Sequence, residues 1–313
     1  MGFSSLRRRL RQIGRSLGLL IPPVREVLEE LQVYRRAHKH VPPGHFYSPM
    51  PSLDDVKRDA ARLFGPPPRT IPGIELNESK QLVLLEEIKR YYRDLSFPVH
   101  KSADRRYFYE NSMYTYSDAV FLYGMIRHAR PKRIVEVGSG HSSSAMLDTI
   151  DLHLDGRVEC TFIEPYPDRL LSLLRPEDLG RVTILTERVQ DVGLEPFLAL
   201  DRDDILFIDS SHSMKIGSDV NHLLGEILPR LRLGVYVHLH DIFYPFEYPE
   251  TWVSGGRAWN EAYALRAFLE FNEAFEIVLF NTYLERFHRE MFEKDMPLCL
   301  LNEGGSIWLQ RVR

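Results

Sequence analysis

Residues 133–142 read Arg-Ile-Val-Glu-Val-Gly-Ser-Gly-His-Ser, a short β-branched run that passes directly into a glycine-rich turn. A helix is predicted next, at about 145–154, so the turn lies where a strand becomes a helix. Glycine lets the backbone approach a ligand closely, and a helix N-terminus offers free N–H groups. In an open α/β sheet such a turn borders the favoured ligand crevice. The stretch therefore predicts an α/β sheet with a binding site at its carboxyl edge.

Strands and helices alternate on both sides of this turn. A helix is predicted at 118–129 before it, and later helices at 166–174, 217–231 and 259–271. Predicted strands lie at 158–163, 182–185, 205–208, 235–239, 275–280 and 306–311. This alternation indicates a mostly parallel sheet with helices on both faces. Residues 281–305 carry no good crossover helix, so we expect an antiparallel edge strand at the end of the chain.

Composition narrows the class of protein. The chain has 313 residues, with 40 Lys and Arg against 44 Asp and Glu, a formal net charge of −4. This balance argues against nucleic-acid binding, which requires a basic face. Only two cysteines occur, which excludes a disulfide framework and favours a reducing, cytoplasmic setting.

The first 20 residues are basic and interleave arginines with leucines. Arg15 interrupts the apolar core that a secretory signal requires. Two interpretations stay open for residues 1–20. In one, a surface helix docks on its own protein or on a twin, as in a homodimer; in the other, a basic amphipathic helix makes peripheral contact with an anionic membrane.

Three acidic residues lie at or just after the ends of the first three strands. Glu136 precedes the glycines, where a carboxylate repels a pyrophosphate but suits a cationic ligand, which argues for S-adenosylmethionine over NAD. Glu164 ends the second strand, at the distance past Gly140 from which a carboxylate can accept both ribose hydroxyls. Asp191 follows the third strand and is a candidate contact to the adenine edge. With Gly138, these residues form the predicted cofactor site.

From about residue 114 onward the chain resembles the class I S-adenosylmethionine-dependent methyltransferases, most closely the branch with Asp-x-x-His after strand four and His-Asp after strand five. The matching segments are Asp209–His212 and His240-Asp241. The resemblance implies a Rossmann-like, seven-stranded, mostly parallel doubly wound sheet over residues 106–313. Residues 1–105 are then a helical, proline-punctuated N-terminal region, with helices expected at 24–38, 53–64 and 79–94.

Asp209, His212, His240 and Asp241 form the predicted reaction centre, because adjacent parallel strands end in one crevice. In one interpretation, His240 or His212 is a general base oriented by Asp209 or Asp241. In the other, Asp209, His240 and Asp241 hold a divalent metal, by analogy with metal-dependent relatives of the family. His238 is expected in the core, and the aromatic loop after Asp241 is either a lid or a hydrophobic cluster.

These features predict a methyltransferase that uses S-adenosylmethionine to methylate an oxygen of a small molecule, a sugar or a secondary metabolite. Two alternatives are a nicotinamide-dependent oxidoreductase on the same sheet and a non-catalytic binding or scaffold protein with a relict cofactor crevice. Glu136 argues against the first, and the intact strand-end acids argue against the second.

Overall fold

The computed structural model describes residues 22–313, with side chains from Val27 onward. The predicted membrane or twin contact of residues 1–20 lies outside the described residues. Two compact units divide between Leu63 and Phe64. The sequence-based boundary between residues 105 and 106 falls inside the second unit. In the described part of the chain, no helix is long and apolar enough to cross a membrane.

The first unit is helical. Helix α1 spans Pro22–Ala37, α2 spans Leu53–Arg58 and α3 spans Ala60–Leu63. The Ser52 side chain caps α2 by accepting a hydrogen bond from the Asp55 amide at 3.3 Å. The single helix predicted over 53–64 is interrupted at Asp59, which leaves the helical conformation and pairs with both Arg58 and Arg62.

Two helices precede the sheet in the second unit: α4, Glu78–Tyr92, and α5, Tyr116–Ala129. Helix α4 buries Leu85 and Ile88, and Ile88 packs so tightly on Gly124 of α5 that a Cβ there would lie 2.6 Å from the isoleucine. Helix α4 also packs against the sheet. These contacts explain why residues 64–105 belong to the same unit as the sheet.

Seven strands form one sheet in the order β3-β2-β1-β4-β5-β7-β6. The strands are β1 Arg133–Val137, β2 Glu159–Ile163, β3 Val182–Leu185, β4 Ile205–Ile208, β5 Tyr236–His240, β6 Phe275–Phe280 and β7 Ser306–Arg311. Strands β1 to β5 pair in parallel, and β7 pairs antiparallel with both β5 and β6. The predicted fold class is confirmed; the antiparallel strand lies beside the edge strand β6.

Helices connect the strands. They are α6 His141–His153, α7 Asp168–Leu173, α8 Glu195–Leu198, α9 Asp219–His222, α10 Glu250–Ser254, α11 Glu261–Leu269, α12 Asn281–Phe287 and α13 Arg289–Asp295. Short 3₁₀ segments lie at Pro176–Gly180, Leu228–Arg230 and Pro297–Leu301. The continuous helix predicted at 217–231 is α-helical only as far as His222. It continues as a π-helical turn over Leu223–Ile227 and as a 3₁₀ turn at Pro229, which has no N–H to donate.

The segment between β6 and β7 is more ordered than the sequence predicts. Helix α12 begins directly after β6 and buries Tyr283 and Leu284, and α13 follows after one residue. The expectation that residues 281–305 carry no good crossover helix is confirmed, because β7 pairs antiparallel with its neighbour β6; the two short helices themselves were not predicted. Each helix has only seven residues, which is too short for a clear apolar period.

Candidate active site

The glycine turn lies against the end of β4. Gly138 has φ +80°, and a Cβ at this position would lie 1.9 Å from the Asp209 carbonyl oxygen. The Ser139 amide donates to Glu164 Oε2 at 3.1 Å, and the other oxygen of Glu164 accepts from the Tyr166 amide at 2.8 Å. The turn after β1, the end of β2 and the end of β4 therefore meet at one edge of the sheet.

Glu136 lies beneath this turn. It is fully buried, and its carboxylate accepts hydrogen bonds from the hydroxyls of Ser142, at 2.6 Å, and Ser143. Burial raises the pKa of Glu136 to about 8, against the opposing effect of these serines. The Ser143 hydroxyl also accepts from the Gly140 amide at 2.9 Å. Glu136 thus closes the turn onto helix α6 from below, and its contact with a cofactor stays a prediction.

Asp191 is engaged elsewhere. Its carboxylate forms an exposed ion pair with Arg188, with 2.6 Å between Nε and Oδ2, and the guanidinium lowers its pKa. The adenine contact assigned to Asp191 also stays a prediction.

The ends of β4 and β5 bring Asp209, His212 and Asp241 together. His212 Nε2 lies 3.3 Å from Asp209 Oδ1 and 3.5 Å from Asp241 Oδ2. His212 and Asp241 both adopt left-handed backbone conformations, with φ of 55° and 56°. Such conformations are costly for residues other than glycine and cluster at functional sites. The ends of β4 and β5 thus place Nε2 of His212 close to the carboxylates of both Asp209 and Asp241.

The sequence did not reveal a third acidic partner of His212, Glu261, which contacts the other ring nitrogen. His212 Nδ1 lies 2.8 Å from Glu261 Oε2, and the Ser210 hydroxyl donates to the other oxygen at 2.9 Å. The amides of Asn260 and Glu261 both donate to the His212 carbonyl. Glu261 is only 1% exposed although it begins helix α11. In the sequence, Glu261 is indistinguishable from an ordinary acid in the first turn of a helix, which the helix dipole favours.

Three carboxylates surround His212 and set its charge. Burial lowers its pKa, but hydrogen bonds to Asp209 and Glu261 outweigh that effect and raise the pKa of His212 to about 10. The imidazole is then protonated at neutral pH, and its positive charge helps to lower the pKa of Asp209. Of the two histidines predicted as general base, His212 is therefore the poorer proton acceptor.

His240 occupies a different environment. It is buried at the end of β5, with Nε2 at 3.6 Å from Asp241 Oδ1 and its ring 5.1 Å from that of Tyr114. Within the described residues, His240 Nδ1 has no hydrogen-bond partner. Burial lowers its pKa, yet the charges of Asp241 and Asp209 raise it overall. An imidazole with an unpaired nitrogen can still accept a proton.

A second acid that the sequence did not reveal is Asp118, on helix α5. It is buried, and burial raises its pKa to about 7, opposed by the charge of His240. One of its carboxylate oxygens has no hydrogen-bond partner among the described residues. Asp118 adds to the negative potential at the end of β5.

His238 belongs to the core, as its place in β5 predicts. Its ring stacks on Phe207 with centroids 4.0 Å apart and packs against Trp308. Burial holds its pKa well below the ordinary range, so the ring is neutral and apolar in character.

The group of side chains close enough to share one ion contains a different histidine from the predicted metal set, and the metal itself stays a prediction. Side-chain atoms of Asp209, His212 and Asp241 lie within 4.8 Å of one another, as ligands of a single ion would. The predicted set contained His240 in place of His212. A neutral Nε2 ligand whose Nδ1 donates to a carboxylate is the usual arrangement in metalloproteins, and Glu261 would supply that carboxylate.

The aromatic loop after Asp241 divides into two parts. Phe243, Tyr244, Phe246 and Tyr248 are buried and act as a hydrophobic cluster. Farther along, the Trp259 ring packs on His212 with centroids 4.3 Å apart, and Arg257 lies over Trp252 at 4.0 Å. Trp259 borders the reaction centre directly, and Phe243 and Tyr248 of the buried part support Trp252 and Trp259 from behind.

The comparisons with known proteins agree with this geometry. A family described as "Methyltransferase domain" matches residues 135–242, from the glycine turn to the His-Asp pair. A protein of Archaeoglobus fulgidus is 35% identical over 180 residues, which cover 55% of this chain and 79% of that protein.

Solved structures of methyltransferases resemble the chain weakly. A Podospora anserina methyltransferase bound to S-adenosylhomocysteine is 15% identical, with a TM-score of 0.42, over 83% of this chain and 96% of that chain. The O-methyltransferase TomG of Streptomyces achromogenes, in complex with S-adenosylmethionine, is 14% identical, with a TM-score of 0.41. The match covers 83% of this chain and 96% of that chain. Likeness at this level carries no information about the substrate.

Proposed function

We propose that this chain, a class I S-adenosylmethionine-dependent methyltransferase, methylates an oxygen atom of a small molecule, such as a sugar or a secondary metabolite. One observation carries the proposal: the glycine turn and the acid–imidazole cluster share one edge of the sheet. Asp209 joins the two, because its carbonyl oxygen abuts Gly138 and its side chain contacts His212.

The residues at this edge fit the cofactor. Gly138 leaves the backbone of the turn open, since a side chain there would collide with β4. Glu164 lies directly beside the turn, and we assign it to the ribose hydroxyls. Gly140 belongs to the same turn, and Glu136 supports it from below. When bound, the cofactor supplies a methyl group activated by a sulfonium centre.

We assign the proton transfer to His240. Methylation of a hydroxyl requires loss of its proton as the oxygen forms its bond to the methyl carbon and the carbon–sulfur bond breaks. His240 has a nitrogen free to accept that proton, and Asp241, 3.6 Å away, stabilises the imidazolium that results. His212, held between Glu261 and Asp209, provides fixed positive charge beside the developing reaction. His212 and His240 are both buried, which limits their contact with water.

A metal-assisted form of the same reaction is a second candidate. Asp209, His212 and Asp241 offer two carboxylates and one imidazole, a donor set that suits a divalent metal softer than magnesium. A metal there would lower the pKa of the acceptor hydroxyl, so the demand on His240 would fall.

Two experiments test the proposal. Calorimetric titration with S-adenosylmethionine should show binding, and absence of binding at millimolar ligand would remove the assignment. Turnover of His240→Ala and Asp241→Ala should then be compared with that of the wild type, with and without chelator, on an acceptor found by transfer of labelled methyl groups. Activity that survives chelator would exclude the metal form, and full activity of His240→Ala would remove its role as base.

The two alternative functions are not favoured. Membership of the methyltransferase family argues against a nicotinamide-dependent oxidoreductase. Charge repulsion by Glu136 is the weaker argument, because burial raises its pKa to about 8 and leaves the side chain largely protonated at neutral pH. A scaffold with a relict crevice does not require acids to converge on His212. The small-molecule acceptor, the absence of nucleic-acid binding and the cytoplasmic location remain predictions from the sequence.

A further inference from the structure

Helix α1 carries apolar residues in a strict repeat. Val24, Val27, Leu31 and Tyr34 follow one another at alternating steps of three and four residues. The same alternation continues back through the sequence, outside the described residues, at Leu20, Leu17, Ile13, Leu10 and Leu6. This average period of 3.5 residues defines the narrow seam of a coiled coil, whereas helices that pack on their own core bury a wider face.

The described part of this seam is uncovered. Val27 is 53% exposed, Leu31 is 41% exposed and Tyr34 is 48% exposed. In the heptad notation, in which a and d face the partner helix, Val24 and Leu31 occupy a, and Val27 and Tyr34 occupy d. The described chain thus leaves open a stripe of the kind that a partner helix covers.

Charged residues beside the seam indicate that the partner helix is a second copy of α1. Glu30 occupies position g and Arg35 the following position e. Five residues apart, they do not face each other on one helix. In a parallel pair of identical helices, position g of one faces the following e of the other, so Glu30 of each copy meets Arg35 of the second copy. Within the described residues, neither side chain has an ion-pair partner.

We propose that α1 pairs in parallel with α1 of a second copy of this chain, through the seam of Val24, Val27, Leu31 and Tyr34. Two Glu30–Arg35 pairs flank the seam and fix its register. A membrane surface fits α1 less well, since Glu30, directly beside the seam, would face anionic lipid. This pairing does not depend on the methyl-transfer reaction.

The test is the oligomeric state of the full chain by sedimentation equilibrium. Leu31→Asp should weaken self-association on the order of a hundredfold, because each dimer loses two buried leucines. The matched control is Val33→Asp, which also introduces an aspartate into α1. Val33 lies outside the seam and is 67% exposed, so this variant should leave self-association unchanged. Circular dichroism and S-adenosylmethionine binding verify that both variants fold.

Charge exchange tests the register. Glu30→Arg or Arg35→Glu alone should weaken the dimer by about two- to fivefold, and the double exchange should restore it. A monomeric wild type, equal effects of Leu31→Asp and Val33→Asp, or no restoration by the double exchange would overturn the proposal. Sedimentation with phosphatidylserine vesicles that is lost in Leu31→Asp, while the chain stays monomeric, would also overturn it, in favour of a membrane surface.

Discussion

Replacing Glu261 by glutamine should lower the pKa of His212. The substitution keeps the size of the side chain and an oxygen 2.8 Å from Nδ1, but it removes the negative charge. A hydrogen bond to a charged group is worth about 1.5–3 kcal/mol and a neutral one about 1 kcal/mol. The difference, about 0.5–2 kcal/mol, corresponds to about one pKa unit. The direction is downward, since the imidazolium loses an anion that stabilises it.

The measurement is nitrogen-15 NMR of the histidine rings in chelator-treated protein, followed from pH 5 to 11. We expect His212 to titrate near 10 in the wild type and about one unit lower in Glu261→Gln. The matched control is Glu270→Gln, the same substitution just beyond helix α11, where the carboxylate pairs with Arg266 at the surface. That variant should leave His212 unchanged.

Two results would refute this reasoning. A wild-type His212 that titrates near the ordinary value of about 6.5 would show that the three carboxylates do not hold its proton. An unchanged value in Glu261→Gln would show that Glu261 does not act on it. Urea unfolding of both variants separates these outcomes from a loss of fold.

Three further predictions concern Gly138 in the glycine turn, the buried Glu136 beneath it, and the buried ion pair between Arg106 and Asp178. Gly138→Ala should lower the free energy of unfolding by about 2 kcal/mol or more and abolish cofactor binding by calorimetry, because the new Cβ would overlap the Asp209 carbonyl; retained affinity would contradict the role of the turn. Glu136 has a pKa raised from 4.5 to about 8, so its contribution to stability is present below pH 4.5 and is lost as pH rises towards 8; urea unfolding at several pH values should show a shallower decline in Glu136→Gln than in the wild type, and equal slopes would count against this. Arg106→Gln should cost about 3–5 kcal/mol of unfolding free energy, since the guanidinium bonds to Asp178 at 2.6 Å in the protein interior; a loss below 1 kcal/mol would mean that the carboxylates relax.

The sheet could be predicted from the sequence because its strands are short apolar runs with clear ends. Strands β1, β3, β4, β6 and β7 lie at the predicted residues. Periodicity is clear in helix α4, where the buried residues Leu84, Leu85 and Ile88 recur at helical spacing, and the glycine turn fixes the direction of the chain around it. The short helices α12 and α13 were not predicted, because seven residues show less than two full helical periods.

The candidate site was only partly within reach of the sequence. Asp209, His212 and Asp241 follow strands that are adjacent in the sheet, so their convergence follows from topology. Glu261 could not be predicted in this role, because it reaches His212 from helix α11, 49 residues further along the chain. Its burial depends on how that helix packs across the edge, which no local pattern encodes.

The most direct test of the central claim is a crystal structure of the protein with S-adenosylhomocysteine. We expect the nucleoside to lie over Gly138, with its ribose hydroxyls on the Glu164 carboxylate and its sulfur facing His240 and Asp241. A ligand bound away from the glycine turn, or one whose sulfur points away from these two side chains, would contradict it.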